Sequence, residues 1–286
     1  MEPGKLQTIS IFTSLNKIPS WALLSLAANG LLLLTVSLLL AKGSGSSADW
    51  SKSAKLNNEQ TLESIKVSPS QLQLGPKHRW NYDQWVAQLG REAKAVAKNP
   101  PERLFILAGD SITLWFPPEL LPPGKTWLNQ GISGETSQGL LKRLKILDET
   151  NPETVFVLIG INDLIRGESP ETVLENSRLI IRDILWAHPN AQVVVQSILP
   201  HSSEDATWER RDRLLAIPNE TIREMNSQLK AIAEEENVYF LDLHPLFADA
   251  NGNLRLELTT DGLHLSRQGY LVWRSAIDLF TQMKLE

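Results

Sequence analysis

Arg103 to Ile112 read RLFILAGDSI, an apolar run that stops at Gly109 and turns polar at Asp110 and Ser111. A run this short and this continuous suits a strand covered on both faces, as the strands of parallel sheets are. Working outward, four more such runs follow: TWLN (Thr126 to Asn129), TVFVLIG (Thr154 to Gly160), QVVVQSI (Gln192 to Ile198) and VYFLDL (Val238 to Leu243). The stretches around them are longer and amphipathic: Trp80 to Asn99, Thr136 to Asp148, Pro170 to His188, Pro218 to Glu236 and Ser266 to Met283. Several open on Ser, Thr or Pro, residues that start helices. Short strands alternating with helices predict one α/β domain, residues 78–286, with a mostly parallel five-stranded sheet inside a three-layer sandwich. In such open sheets ligands bind beyond the carboxyl ends of the strands. The loops after each run are therefore where chemistry belongs.

Four of those loops carry unusual residues. Gly109-Asp110-Ser111-Ile112 sets Ser111 at a strand-to-helix turn, where a hydroxyl can be exposed as a nucleophile. Taken alone, the same residues are what a helix cap requires. NQGISGET (Asn129 to Thr136) supplies Gly131 and Gly134, which let the backbone approach a ligand and offer an N–H to an oxyanion. GIND (Gly160 to Asp163) ends an apolar run in a polar pair, and the Asn162 amide is a second donor. Near the end, Asp261-Gly-Leu-His264 spaces a carboxylate and an imidazole so that one reaches the other. Each loop has an ordinary reading as turn or cap chemistry. Ser, Gly, Asn and His in this order on one sheet edge outweigh four separate coincidences.

Together GDSI, NQGISGET, GIND and DGLHLSRQGY resemble the four sequence blocks of the SGNH hydrolase (GDSL-like lipase/esterase) superfamily, from about Arg103 to the end of the last helix. Within it the spacing is similar to lysophospholipase/arylesterase and platelet-activating-factor acetylhydrolase-like members. The resemblance implies a flavodoxin-like α/β/α sandwich and ester hydrolysis without metal or other cofactor. It implies Ser111 as nucleophile, His264 as base with Asp261 as its partner, and Ser111, Gly134 and Asn162 as the oxyanion hole. Asp110 and Asp163 are expected to order the loops. Ile112 stands where the family usually has Leu, a conservative apolar change.

The remaining composition narrows the function further. A formal charge of -5 over 286 residues, with no Lys/Arg-rich run, argues against a nucleic-acid or polyanion partner. Without cysteine there is no disulfide framework, thiolate zinc site or thiol nucleophile. His78, His188, His201, His244 and His264 show no HxxxH-type spacing, so no metal site is expected. The substrate is expected to be a small-molecule, lipid or glycan ester. An O-acyltransferase using the same acyl-enzyme, or a silent glycan- or lipid-binding module, are the competing functions. Trp115 and Trp127 lie near the first two loops and are expected to be buried, with a ligand-lining role as the alternative. The charged stretch His201 to Arg213 is expected to be a solvated face.

Residues 21–41 read WALLSLAANGLLLLTVSLLLA and carry no charge, long enough to cross a hydrocarbon core of about 30 Å. The apolar part of a cleaved signal is shorter, about 7 to 15 residues. A single transmembrane helix is therefore expected, after a flank at 1–20 and before a polar linker at 42–77. Lys5 and Lys17 before it are balanced by Lys42, Lys52 and Lys55 after it, so charge gives no orientation. The expectation is a single-pass membrane protein with an extracytoplasmic catalytic domain.

Overall fold

A computed structural model describes residues 80–285. The expected flank, transmembrane helix and linker (1–20, 21–41 and 42–77) lie outside the described residues. Among the described residues no helix is long and apolar enough to cross a membrane.

Five strands form one sheet: β1 (Leu104–Gly109), β2 (Thr126–Gly131), β3 (Thr154–Leu158), β4 (Gln192–Gln196) and β5 (Tyr239–Leu241). Their order is β2-β1-β3-β4-β5, and every pair is parallel. The sheet is thus wholly parallel, where a mostly parallel one was expected. This is the doubly wound order in which the chain reverses direction between β1 and β3, opening a crevice beyond their carboxyl ends.

Alternation along each strand divides the core in two. Ile106, Ala108, Val155, Val157, Val193 and Val195 face one layer. It is built from the helices α1 (Tyr82–Lys98), α3 (Ser137–Arg143), α5 (Pro170–Ala187) and α7 (Asn219–Glu235). Phe105, Leu107, Phe156, Leu158 and Val194 face the other. There, among the described residues, one long helix, α9 (Arg267–Phe280), packs alongside the short α2 (Ser111–Leu114) and α8 (His244–Phe247). Two more short helices, α4 (Ile161–Ile165) and α6 (Arg211–Leu215), sit in loops. A helix was expected to begin at Ser111, where α2 does; α4, α6 and α8 were not predicted, because four or five residues are too few to show a repeating apolar period.

Two contacts fix α9 relative to the site. Trp273 Nε1 donates to Gln196 Oε1 at 2.7 Å, tying the helix to β4. The Tyr270 hydroxyl donates to the Ile112 carbonyl at 2.9 Å, tying it to α2. Because His264 lies three residues before α9 and Ser111 opens α2, these bonds help to set the distance between the two. Gly109 makes the turn into α2 possible, since a Cβ there would lie 2.3 Å from both the Leu158 carbonyl oxygen and Thr113 Oγ1.

Candidate active site

The two readings of the Asp110-Ser111 turn divide between neighbours. Asp110 is the cap, its Oδ1 accepting the Ile112 N–H at 2.9 Å. Ser111 is left free for another partner, and its Oγ lies 3.1 Å from His264 Nε2. His264 Nδ1 lies 2.8 Å from Asp261 Oδ2. A carboxylate can only accept, so this contact places the ring proton on Nδ1 and turns the Nε2 lone pair towards Ser111. The other oxygen, Asp261 Oδ1, accepts the N–H groups of Leu263 at 3.0 Å and His264 at 2.8 Å. Burial pushes the Asp261 carboxyl up, but these donors together hold it below its ordinary value.

The loop bearing this pair is itself held from the backbone. Thr207 and Trp208 N–H groups donate to the Asp261 carbonyl at 2.8 and 2.9 Å, and Ser202 N–H donates to Gly262 O at 2.9 Å. The expected solvated face of His201 to Arg213 is therefore corrected: His201, Ser202 and Ala206 are buried, Ser202 and Ala206 against Gly262, and Trp208 packs on the core, while the charged side chains of the stretch stay at the surface. Gly262 adopts φ +89°, and a Cβ there would lie 2.5 Å from Ala206 Cα. Thr259 Oγ1 donates to the His264 carbonyl at 2.6 Å and closes the loop from the other side.

Across the crevice, Asn162 at the start of α4 donates through Nδ2 to Asp110 Oδ2 at 3.3 Å. Asp163 accepts the Ser137 N–H at 2.9 Å and its hydroxyl at 2.6 Å, joining α4 to the start of α3. Asn176 Nδ2 donates to the same Ser137 hydroxyl at 2.9 Å. The Gly134 carbonyl accepts from Arg166 Nη2 at 2.5 Å, which pins the glycine loop to the end of α4. Ser111, Gly134, Asn162, Asp261 and His264 are thus linked through one network, with Asp110 and Asp163 tying the loops together.

The network is heavily buried. Asp110 is completely so, and burial raises its carboxyl to about 7, opposed by the Ile112 N–H and reinforced by the charges of Asp163 and Glu135. Burial also lifts Asp163, against the pull of its bonds from Ser137. Beneath the glycine loop, buried Glu135 and Arg143 form an ion pair at 2.7 Å. Arg143 Nη2 also donates to the Gln130 carbonyl at 2.7 Å, at the end of β2. Burial raises the Glu135 carboxyl, with the Arg143 charge drawing it back.

Sequence reasoning missed this pair. A signal existed, since Arg143 sits three residues after Leu140 on the apolar stripe of α3, where an unpartnered charge does not belong. Trp115 is a second correction. Expected to be buried, it is 48 % exposed and lies against the His264 ring, with centroids 4.3 Å apart. Trp127 does pack inward, edge-on to Phe105 at 5.2 Å, with Nε1 donating to the Pro122 carbonyl. Among the described residues no group of three or more His, Asp or Glu converges as a metal site.

Residues 107–272, which contain every residue of this network, match the GDSL-like Lipase/Acylhydrolase family. Subunit alpha1 of platelet-activating factor acetylhydrolase IB from Bos taurus is 30% identical over 195 residues, covering 65% of this chain and 77% of that protein. A solved chain from Streptococcus pneumonia, described as a platelet activating factor, superposes with a TM-score of 0.62 at 26% identity, covering 69% of this chain and 92% of its own. One from Bacteroides fragilis, described as an acylhydrolase, gives 0.59 at 21% identity over 73% of this chain and 100% of its own, a likeness of fold. The four loops, their order along a 2-1-3-4-5 sheet and these likenesses agree: the chain belongs to the GDSL-like lipase/acylhydrolase family.

Proposed function

We propose that the protein hydrolyses carboxylic esters through an acyl-enzyme on Ser111. The observation that carries this is the chain of contacts from Ser111 Oγ to His264 Nε2 at 3.1 Å and from His264 Nδ1 to Asp261 Oδ2 at 2.8 Å. As Ser111 Oγ attacks the ester carbonyl carbon, its proton passes to His264 Nε2, and Asp261 stabilises the imidazolium that forms. Collapse of the tetrahedral intermediate breaks the bond to the alcohol oxygen, which takes the proton from Nε2. Water then attacks the acyl-enzyme by the same route and releases the acid.

The oxyanion is met by the N–H groups of Ser111 and Gly134 and by the Asn162 amide. One such donor is typically worth about 2.7 to 4 kcal/mol of barrier. Asp110 aims Asn162 by accepting one of its two amide protons, leaving the other for the substrate. Ser111→Ala and His264→Ala are each expected to abolish p-nitrophenyl acetate hydrolysis while the unfolding transition is retained. Undiminished turnover in Ser111→Ala would overturn the mechanism.

The relatives named as acetylhydrolases point towards a short acyl group. An acylated lipid or glycan is the substrate class we favour. The uncharged run at 21–41 supports a single-pass anchor, with residues 42–77 as its tether and the catalytic domain outside the cytoplasm. Deleting residues 1–41 should release the activity from membranes, and protease should reach the domain on intact cells. Activity that is soluble with the segment intact would remove the anchor from this reading.

A further inference from the structure

Trp115 stands one turn beyond Ser111, its N–H bonded to the Ser111 carbonyl at 3.0 Å, so the two side chains share a face of α2. Its ring lies on the His264 imidazole, with centroids 4.3 Å apart and planes inclined by 38°. The core on this side of the sheet does not need it. Phe116, Tyr270 and Trp273 are buried there and pack on one another with centroids 4.9 to 6.2 Å apart. A large indole held beside the reacting pair and left 48 % open is apolar surface waiting for a cover.

The chemistry of the site says what that cover is. His264 Nε2 has to hand its proton to the departing alcohol oxygen, which must come within hydrogen-bond reach of the ring. The indole packed on that ring is then the adjoining wall for whatever the oxygen belongs to. Resting on the hydrolytic reading above, we propose that Trp115 is the specificity-determining wall of the leaving-group site, and that it takes an alcohol presenting a flat ring face, an aryl or a sugar ring. The reaction steps are unchanged. The stacking acts on acylation, because the alcohol has gone before water attacks.

The test compares acetyl esters that share one acyl group: phenyl acetate, a monoacetylated methyl glucoside and ethyl acetate. Their kcat/KM values are measured in the intact protein and in Trp115→Ala and Trp115→Phe, so that intrinsic leaving-group reactivity cancels in the variant-to-parent ratios. In Trp115→Ala the ring-alcohol to ethyl ratio is expected to fall about 10- to 100-fold, and Trp115→Phe should recover most of it. Deacylation of the common acetyl-enzyme, followed by burst kinetics, should fall far less than acylation. A loss confined to phenyl or to sugar esters supports the wall and identifies its source.

Equal losses for all three esters and for deacylation would mean that Trp115 only positions His264, and the proposal would fail. So would an unchanged ratio. Failure of the serine mechanism reads differently, as activity persisting in Ser111→Ala. Should Trp115→Ala unfold, Trp115→Leu takes its place, since it keeps apolar bulk without a ring face: the same fall in the ratio is expected, and an unchanged ratio in it overturns the proposal.

Discussion

Asp110→Asn should make the protein more stable above neutral pH and nearly inactive at the same time. The wild-type carboxyl is fully buried, and burial raises it to about 7, against about 3.9 in an unfolded chain. Between those values the folded state keeps a proton that the unfolded state has lost, so stability falls as pH rises through the window and levels off above it. At 1.36 kcal/mol per pH unit, the step from pH 5 to pH 7 amounts to about 2 kcal/mol. For a domain of this size that is about 4 to 8 °C in Tm. Asn cannot lose a proton and still caps α2 through its carbonyl oxygen. The Tm of Asp110→Asn minus that of wild type, followed by circular dichroism from pH 5 to pH 8, should therefore climb by that amount and then plateau. Meanwhile the new amide would face Asn162 Nδ2 donor to donor, where Asp110 Oδ2 now accepts at 3.3 Å. Asn162 must turn its oxygen inwards, and losing its N–H from the oxyanion hole should cost about 100- to 1,000-fold in kcat. A Tm difference that does not change with pH would refute the account of the buried carboxyl, and full activity in the variant would refute the role given to Asn162.

Two further substitutions probe the supports of the site. Gly262→Ala forces a side chain onto a residue at φ +89°, with its Cβ 2.5 Å from Ala206 Cα. About 2 to 4 kcal/mol of stability should be lost, with more than a tenfold fall in kcat, because Asp261 and His264 move with the loop; unaltered melting and turnover would show the loop to be slack. Arg143→Met leaves Glu135 buried without its 2.7 Å partner. Urea titration at pH 8 should show a loss of about 3 to 5 kcal/mol, smaller at pH 5 where Glu135 can take up a proton, and restored by adding Glu135→Leu; a loss independent of pH would contradict this.

The strands were legible because burial on both faces leaves the same mark wherever it occurs, as in TVFVLIG. The positions of the candidate site residues were legible because Ser111, Gly134, Asn162, Asp261 and His264 stand out by residue type in the loops after the strands, and the structure places Ser111, His264 and Asp261 in contact. What stayed hidden was partnership. Asp110 and Asp163 were expected to order the loops, but their partners, Asn162 and Ser137, lie far off in the sequence and could not be named from it. The asymmetry of the two layers was hidden as well, since whether a short segment such as His244 to Phe247 counts as a layer depends on what it covers.

The stretch from His201 to Arg213 shows why side-chain chemistry alone misleads. Its charges pointed to a solvated surface, yet its contribution to the site comes through backbone N–H groups, with Thr207 and Trp208 bonding the Asp261 carbonyl. Every non-proline residue carries that donor, so no residue type announces it. The same logic explains why one glycine matters there. Backbone can approach backbone this closely only where no side chain intervenes, and Gly262 is that place. Asp261 is thus aimed at His264 by a segment whose sequence is free to vary in charge, provided its small residues Ser202 and Ala206 keep the space that Gly262 requires.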